Sequence, residues 1–214
     1  MTRMIGKAAL AFGIVALLGS PVFAQGRGFG GGGGGMLLVN KSVQEELKVT
    51  DEQAGKLDTL SQDIRSKMQE AMQDVPQEER FQKMAEINRT VVQPAIDKGL
   101  AEILKPEQVK RFHQIQIQAA GLQAFSQPKV VEALKITDEQ KAKVQEIAEE
   151  TQASMREIFQ SAQDDREGAM KKIQELRKSS FEKAAGLLSD DQKKAWKDLI
   201  GSPFEVKFER RPQQ

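Results

Sequence analysis

Leu47-Lys48-Val49-Thr50-Asp51-Glu52-Gln53 decides how this chain is read, because it returns 87 positions later as Leu134-Lys135-Ile136-Thr137-Asp138-Glu139-Gln140. Thr followed three residues on by Gln is a capping box. The hydroxyl accepts from the backbone N–H of the third helical residue, and the Gln side chain reaches back to the N–H of the cap. The acidic pair between them lies in the first turn, where the helix dipole favours negative charge. Each copy therefore starts a helix. Two looser copies are Leu104-Lys105-Pro106-Glu107-Gln108 and Leu188-Ser189-Asp190-Asp191-Gln192. Lys105 stands where the hydroxyl belongs, but Pro106 suits a first helical position, whose N–H would have no partner anyway. The side chains of Thr50, Gln53, Gln108, Thr137, Gln140, Ser189 and Gln192 are accordingly assigned to helix capping, a structural role.

The four copies are spaced long, short, long, which reads as an internal duplication. The shift of 87 also lays Val43 on Val130 and Glu45 on Glu132, and a shift of 84 lays Leu104 on Leu188 and Phe112 on Trp196. In the first long gap Ala54, Leu57, Leu60, Ile64, Met68 and Met72 recur every three or four residues, a helical stripe. Val75-Pro76 ends that helix, since the residue before Pro is pushed out of the α region. A return helix carries Phe81, Met84, Ile87, Val91, Ala95, Leu100 and Ile103, with a kink expected at Pro94. The second gap repeats the plan. Val144, Ile147, Ala148, Met155, Ile158, Phe159 and Ala162 form one stripe, residues 164–168 a turn, and Met170, Ile173, Leu176, Phe181, Ala184 and Leu187 the return.

A short third helix follows in each case, from Pro106 to about Ala120 and from Asp190 to about Ile200, stopped by Gly121 and Gly201. Short helical turns near 41–47 and 128–134 lead in, and no stretch alternates with period two. The expected fold is all-α: two tandem long antiparallel helical hairpins, each with a short third helix, over residues 37–121 and 122–205.

The ends read differently. Residues 1–24 have the form of a secretory signal peptide, with Arg3 and Lys7 ahead of an apolar run from Ala8 to Leu18 that is too short to span a bilayer. Pro21-Val22-Phe23-Ala24 supplies small residues for a cut after Ala24, and no Cys follows for a lipid anchor. The expected location is therefore periplasmic or extracellular, with no stable membrane anchor after cleavage. Residues 25–36, rich in Gly, read as a flexible linker, and residues 206–214 as a polar tail. A phosphate loop is not indicated, because no Gly-Lys-Ser/Thr follows the glycines.

Composition narrows the function. Loss of Arg3 and Lys7 brings 32 basic residues to one fewer than the 31 acidic ones, so no excess positive charge is left to hold nucleic acid. With no Cys, an exported chain relies on packing. The single His, His113, has Lys110 three residues before it, so the Glu-x-x-His pairs of a di-iron bundle are missing, and Cys/His zinc ligation is unsupported. No Gly-x-Ser-x-Gly elbow occurs. The nearest approach to a calcium loop, Gln163-Asp164-Asp165-Arg166-Glu167-Gly168, has Gln and Glu where Asp is required. The reading is of a non-enzyme without catalytic residues, cofactor or metal site. Met residues on the stripes (Met68, Met72, Met84, Met155 and Met170) serve as core filler or as an adaptable binding face.

An exported helical chain with an aliphatic-Thr-x-x-Gln phrase at its helix starts resembles the LTxxQ-motif family of periplasmic proteins, the Spy and CpxP type. The ending Trp196-Lys197-Asp198-Leu199-Ile200-Gly201-Ser202-Pro203-Phe204 is similar to that of exported proteins of planctomycete-type bacteria. The resemblance spans roughly residues 43–203, although the strict form Leu-Thr-x-x-Gln is absent. It implies helical hairpins and an ATP-independent chaperone or protein-binding role, with unfolded clients, a dedicated protein partner or a homodimer as the company kept. The alternatives are a metal-responsive sensor or modulator, whose His and Cys ligands have no equivalents here, and a structural coiled-coil interaction module.

Overall fold

The computed structural model describes residues 33–161 and 165–207. The signal-peptide and most of the linker assignments, and the chain beyond Lys207, lie outside those residues. The described chain is all-α. It runs α1 (Gly33–Leu38), α2 (Lys41–Glu46), α3 (Asp51–Met72), α4 (Arg80–Ile87), a π-helical turn (Asn88–Val92), α5 (Gln93–Ile103), α6 (Pro106–Ala120), a 3-10 helix (Gly121–Ser126), α7 (Pro128–Leu134), α8 (Asp138–Ser161), α9 (Arg166–Gly186) and α10 (Asp190–Ile200).

Helix starts follow the local chemistry. Thr50 Oγ1 accepts from Gln53 N–H at 3.2 Å while Gln53 Oε1 accepts from Thr50 N–H at 3.0 Å. Thr137 with Gln140 and Ser189 with Gln192 do the same. At α6 only half the box forms: Gln108 Oε1 accepts from Lys105 N–H at 2.9 Å, and an ammonium has no lone pair to return the bond. Asp165 caps α9 by accepting from Gly168 N–H. Gly121 and Gly201 close α6 and α10 at φ of 56° and 61°, a region open to glycine.

At Pro94, where a kink is expected, the helix changes type. Pro94 cannot donate a backbone N–H, and its ring crowds the carbonyl of Thr90 four residues back. The turn just before it widens to π geometry, with Gln93 N–H reaching Asn88 O five residues back.

Two cores form. The first gathers Leu37 and Leu38 of α1, Val43, Leu57, Ile64, Ile96, Leu100, Phe112 and Ile115. Full burial of such side chains contributes roughly 1.5–3 kcal/mol each. The second gathers Ala124, Phe125, Val130, Leu134, Val144, Leu188 and Trp196. There Phe125 stacks on Trp196 at 4.8 Å between centroids, and Phe181 closes on both rings at 5.7 and 6.1 Å. Helix α1 begins at Gly33, so the described fold reaches four residues into the segment read as linker, because Leu37 and Leu38 hold it down.

Equivalent positions behave alike. Lys48 and Lys135, the only non-Gly residues with positive φ among those described, stand at 51° and 52° just after α2 and α7. Under the same shift Leu37 and Leu38 correspond to Ala124 and Phe125, which are also buried. Nothing in residue identity announces that last correspondence.

Helices α8 and α9 run antiparallel. Gln140 near the start of α8 bonds Leu187 O just past the end of α9, and Thr151 further along meets Ser180 further back. In the other pair, α3 packs on α4, the π turn and α5, with Leu60 against Gly99.

Candidate functional site

The motif glutamines come together in pairs that their sequence spacing does not reveal. Gln53 Nε2 donates to Gln108 Oε1 at 3.1 Å, and Gln108 Nε2 donates back to Gln53 Oε1 at 3.4 Å. Gln53 Nε2 also donates to Ile103 O at 3.0 Å, the end of α5. Gln108 Nε2 donates to Leu47 O at 2.9 Å, just past the end of α2. Each glutamine thus caps the start of its own helix and the end of the helix that precedes its partner's motif. Gln140 and Gln192 repeat the arrangement, at 2.8 and 2.9 Å to each other, with Leu187 O and Leu134 O as the carbonyls. Gln108 is 9% exposed, and every polar atom of its amide finds a partner, which is what burial of an amide demands.

The clasps are chemically quiet. An amide does not titrate and is a poor nucleophile, so the structure places the predicted residues in a joining role. Thr50, Thr137 and Ser189 stay at helix starts on the surface.

His113 does not stand alone. Its Nε2 lies 3.2 Å from Asp97 Oδ1, and Lys129 Nζ of α7 lies 2.7 Å from Asp97 Oδ2. Gln93 Nε2 donates to Asp97 Oδ1 at 3.0 Å and receives a bond on its own oxygen from Gln116. Burial pushes the Asp97 carboxyl up, but the bonds from Lys129 and Gln93, with the Lys129 charge, outweigh it and hold the group below the ordinary Asp value. This network ties α5 and α6 to α7. No group of three or more His, Asp or Glu side chains among the described residues is placed to hold a metal ion.

A depression of about 490 Å³ lies between α7 and α8, lined by Val131, Pro128, Lys141, Gln145 and Ala148.

No family model, curated protein or solved structure matches the chain.

Sequence reading missed one face of α6. Arg111, Gln114 and Gln118 recur at helical spacing there, and all three bind the end of α10 or the residues just after it. Gln118 Nε2 donates to Ile200 O at 2.6 Å and Ser202 O at 3.0 Å, and Gln114 Nε2 donates to Asp198 O. Arg111 pairs with Glu46 at 2.7 Å, donates to Ser202 O at 2.8 Å and lies over the Phe204 ring at 5.9 Å. Phe204 and Val206 pack against the first core, so the ordered chain extends into the stretch read as a polar tail. The polar helix face was visible in the sequence. Its ligand, some 90 residues away, was not.

The α8–α9 pair is thinly covered. Over the 24 residues of α8 only Val144 and Thr151 are buried. Ile147, Met155 and Ile158 are half-buried, and Phe159 is 61% exposed. On α9 Met170 and Leu176 are half-buried, while Ala169 and Ile173 are buried.

Proposed function

We propose that the protein is an exported, non-enzymatic helical protein that holds partly unfolded or partner proteins through its helix pairs, in the manner of an ATP-independent chaperone, and that it is built from a duplicated helical unit. The observation that carries this reading is the incompletely covered apolar stripe of α8, with Phe159 exposed and Met155, one turn before it on the same helix face, half-exposed, and with Met170 of α9 half-exposed as well. Methionine adapts its shape to varied partners, and contiguous exposed apolar surface marks interaction sites. The matching Gln53–Gln108 and Gln140–Gln192 pairs support the duplication.

The test is suppression of aggregation of a chemically unfolded client at a stoichiometric ratio without nucleotide. Reduced light scattering is expected, and Phe159→Ser with Met155→Ser weakens it. Scattering unchanged by the wild-type protein rules the reading out.

A further inference from the structure

The first core is covered on one side by an extended segment of the same chain. Beyond Gly201, whose φ of 61° lets the backbone turn off α10, residues 202–207 leave helical geometry and lie between α2 and α6. Their side chains alternate. Phe204 and Val206 are half-buried against the first core, while Pro203, Glu205 and Lys207 are exposed. That is the period of an extended strand.

The backbone of this strap is read by side chains of the groove. Gln118 Oε1 accepts from Phe204 N–H at 2.8 Å, and Ser42 Oγ accepts from Lys207 N–H at 3.0 Å. Asn40 Nδ2 donates to Lys207 O at 2.8 Å, and Arg111 and Gln118 donate to Ser202 O. The readers are themselves positioned. Asn40 Oδ1 accepts from Ser42 Oγ and from Val43 N–H, and Arg111 is held by Glu46. Main-chain bonds supply affinity without regard to sequence, and apolar pockets two residues apart supply a mild preference, which is how extended peptides are generally recognised.

We propose that the groove formed by Asn40 and Ser42 at the start of α2 with Arg111 and Gln118 of α6 is a binding site for extended apolar-x-apolar peptide segments, and that residues 202–207 occupy it in cis as a built-in competitor. The proposal rests on the protein-holding reading only for its natural ligand, an exposed segment of an unfolded chain. The cis strap faces the groove at an effective concentration near millimolar, as short tethers do. A free peptide therefore binds with an apparent affinity reduced by the fraction of grooves that stand open.

The experiment uses the full chain and a fluorescein-labelled peptide of sequence Ser-Pro-Phe-Glu-Val-Lys. Phe204→Ala with Val206→Ala in the protein weakens the strap and leaves the groove intact. Binding by anisotropy is expected to tighten about ten-fold or more over wild type, and to be lost when the peptide's Phe and Val are replaced by Ala or when Gln118→Ala is added to the protein. A second measurement needs no variant: millimolar unlabelled peptide added to the wild-type chain moves the Phe204 and Lys207 amide NMR signals towards their free-chain positions. Equal binding to both proteins, or amide signals that stay put at millimolar peptide, overturns the proposal. Neither readout contains a client protein, so the groove and the light-scattering result succeed or fail separately.

Discussion

Gln53 and Gln108 lie 55 residues apart in sequence and share two hydrogen bonds between their amides, each amide also closing the end of the helix before the other's motif. Gln108→Ala leaves the Leu47 carbonyl and the Lys105 N–H without their side-chain partner, and an unsatisfied buried group costs about 1–3 kcal/mol. Urea titration of Gln53→Ala, Gln108→Ala and the double variant should return a coupling of roughly 0.5–3 kcal/mol, the range for residues in one network. A coupling indistinguishable from zero would mean that the two caps act alone.

Thr50 and Thr137 bond only to their own helices. Thr50→Ala and Thr137→Ala should each lower stability by about 0.5–2 kcal/mol, with client holding unchanged after correction for the folded fraction. A loss of holding at unchanged urea midpoint would give these threonines a direct contact with clients.

Asp97 links pH to the joint between α5, α6 and α7. Its folded carboxyl titrates below the ordinary Asp value, so it stabilises the fold above the unfolded pKa of about 3.9. That contribution fades as pH falls through the folded value, which lies lower still. The urea midpoint is therefore expected to drop on going from pH 6 to pH 3, and Asp97→Asn should be less stable at pH 6 and lose less on acidification. Parallel pH curves for the two proteins would remove Asp97 from the account.

A hydroxyl pair stands inside the α8–α9 seam. Thr151 Oγ1 and Ser180 Oγ lie 2.6 Å apart, 6% and 4% exposed, and each also has a backbone carbonyl within reach. The corresponding positions under the sequence shifts are Ile64 and Ile96, both buried in the first core. Thr151→Val alone removes one partner of a buried bond and should cost about 1–3 kcal/mol, whereas joint replacement with Ser180→Ala should come out near neutral, since no polar group is then left wanting. Thermal melts of the singles and the double decide this, and an additive double would contradict the pairing.

Gly99 is buried, and a Cβ placed there would sit 2.5 Å from Leu60 Cδ2. Ala improves a helix interior by roughly 0.5–1 kcal/mol over Gly, but overpacking costs about 1–3 kcal/mol, so Gly99→Ala should destabilise on balance. Leu60→Ala should recover part of that loss in the double variant, and chemical denaturation of the three proteins measures the recovery. Full additivity would place the two side chains out of contact.

Thr50, Gln53, Pro106 and Ser189 mark helix starts, and Gly121 and Gly201 mark helix ends, within windows of a few residues. Each signal is a bond or a clash between near neighbours, so the sequence alone determined the all-α class and most helix boundaries. It also determined most of the side chains that carry the stripes, because 3.6-residue periodicity is a local property, but Ala148 and Phe159 of the α8 stripe stand exposed. What it left undecided depended on contacts that loop closure must first bring together. A glutamine that caps its own helix has an amide N–H₂ to spare, and only the packing of α3 against the end of α5 shows that Gln53 spends it on Ile103 and Gln108. Pro94 announces a broken ladder, and only the structure shows that the break takes the form of a π turn. The strap is the clearest case. Phe204 reads as the last apolar residue of the second unit and Val206 as part of a polar tail until α2 and α6 are side by side, when Asn40, Ser42, Arg111 and Gln118 form a groove of the length and bonding pattern that an extended backbone fills.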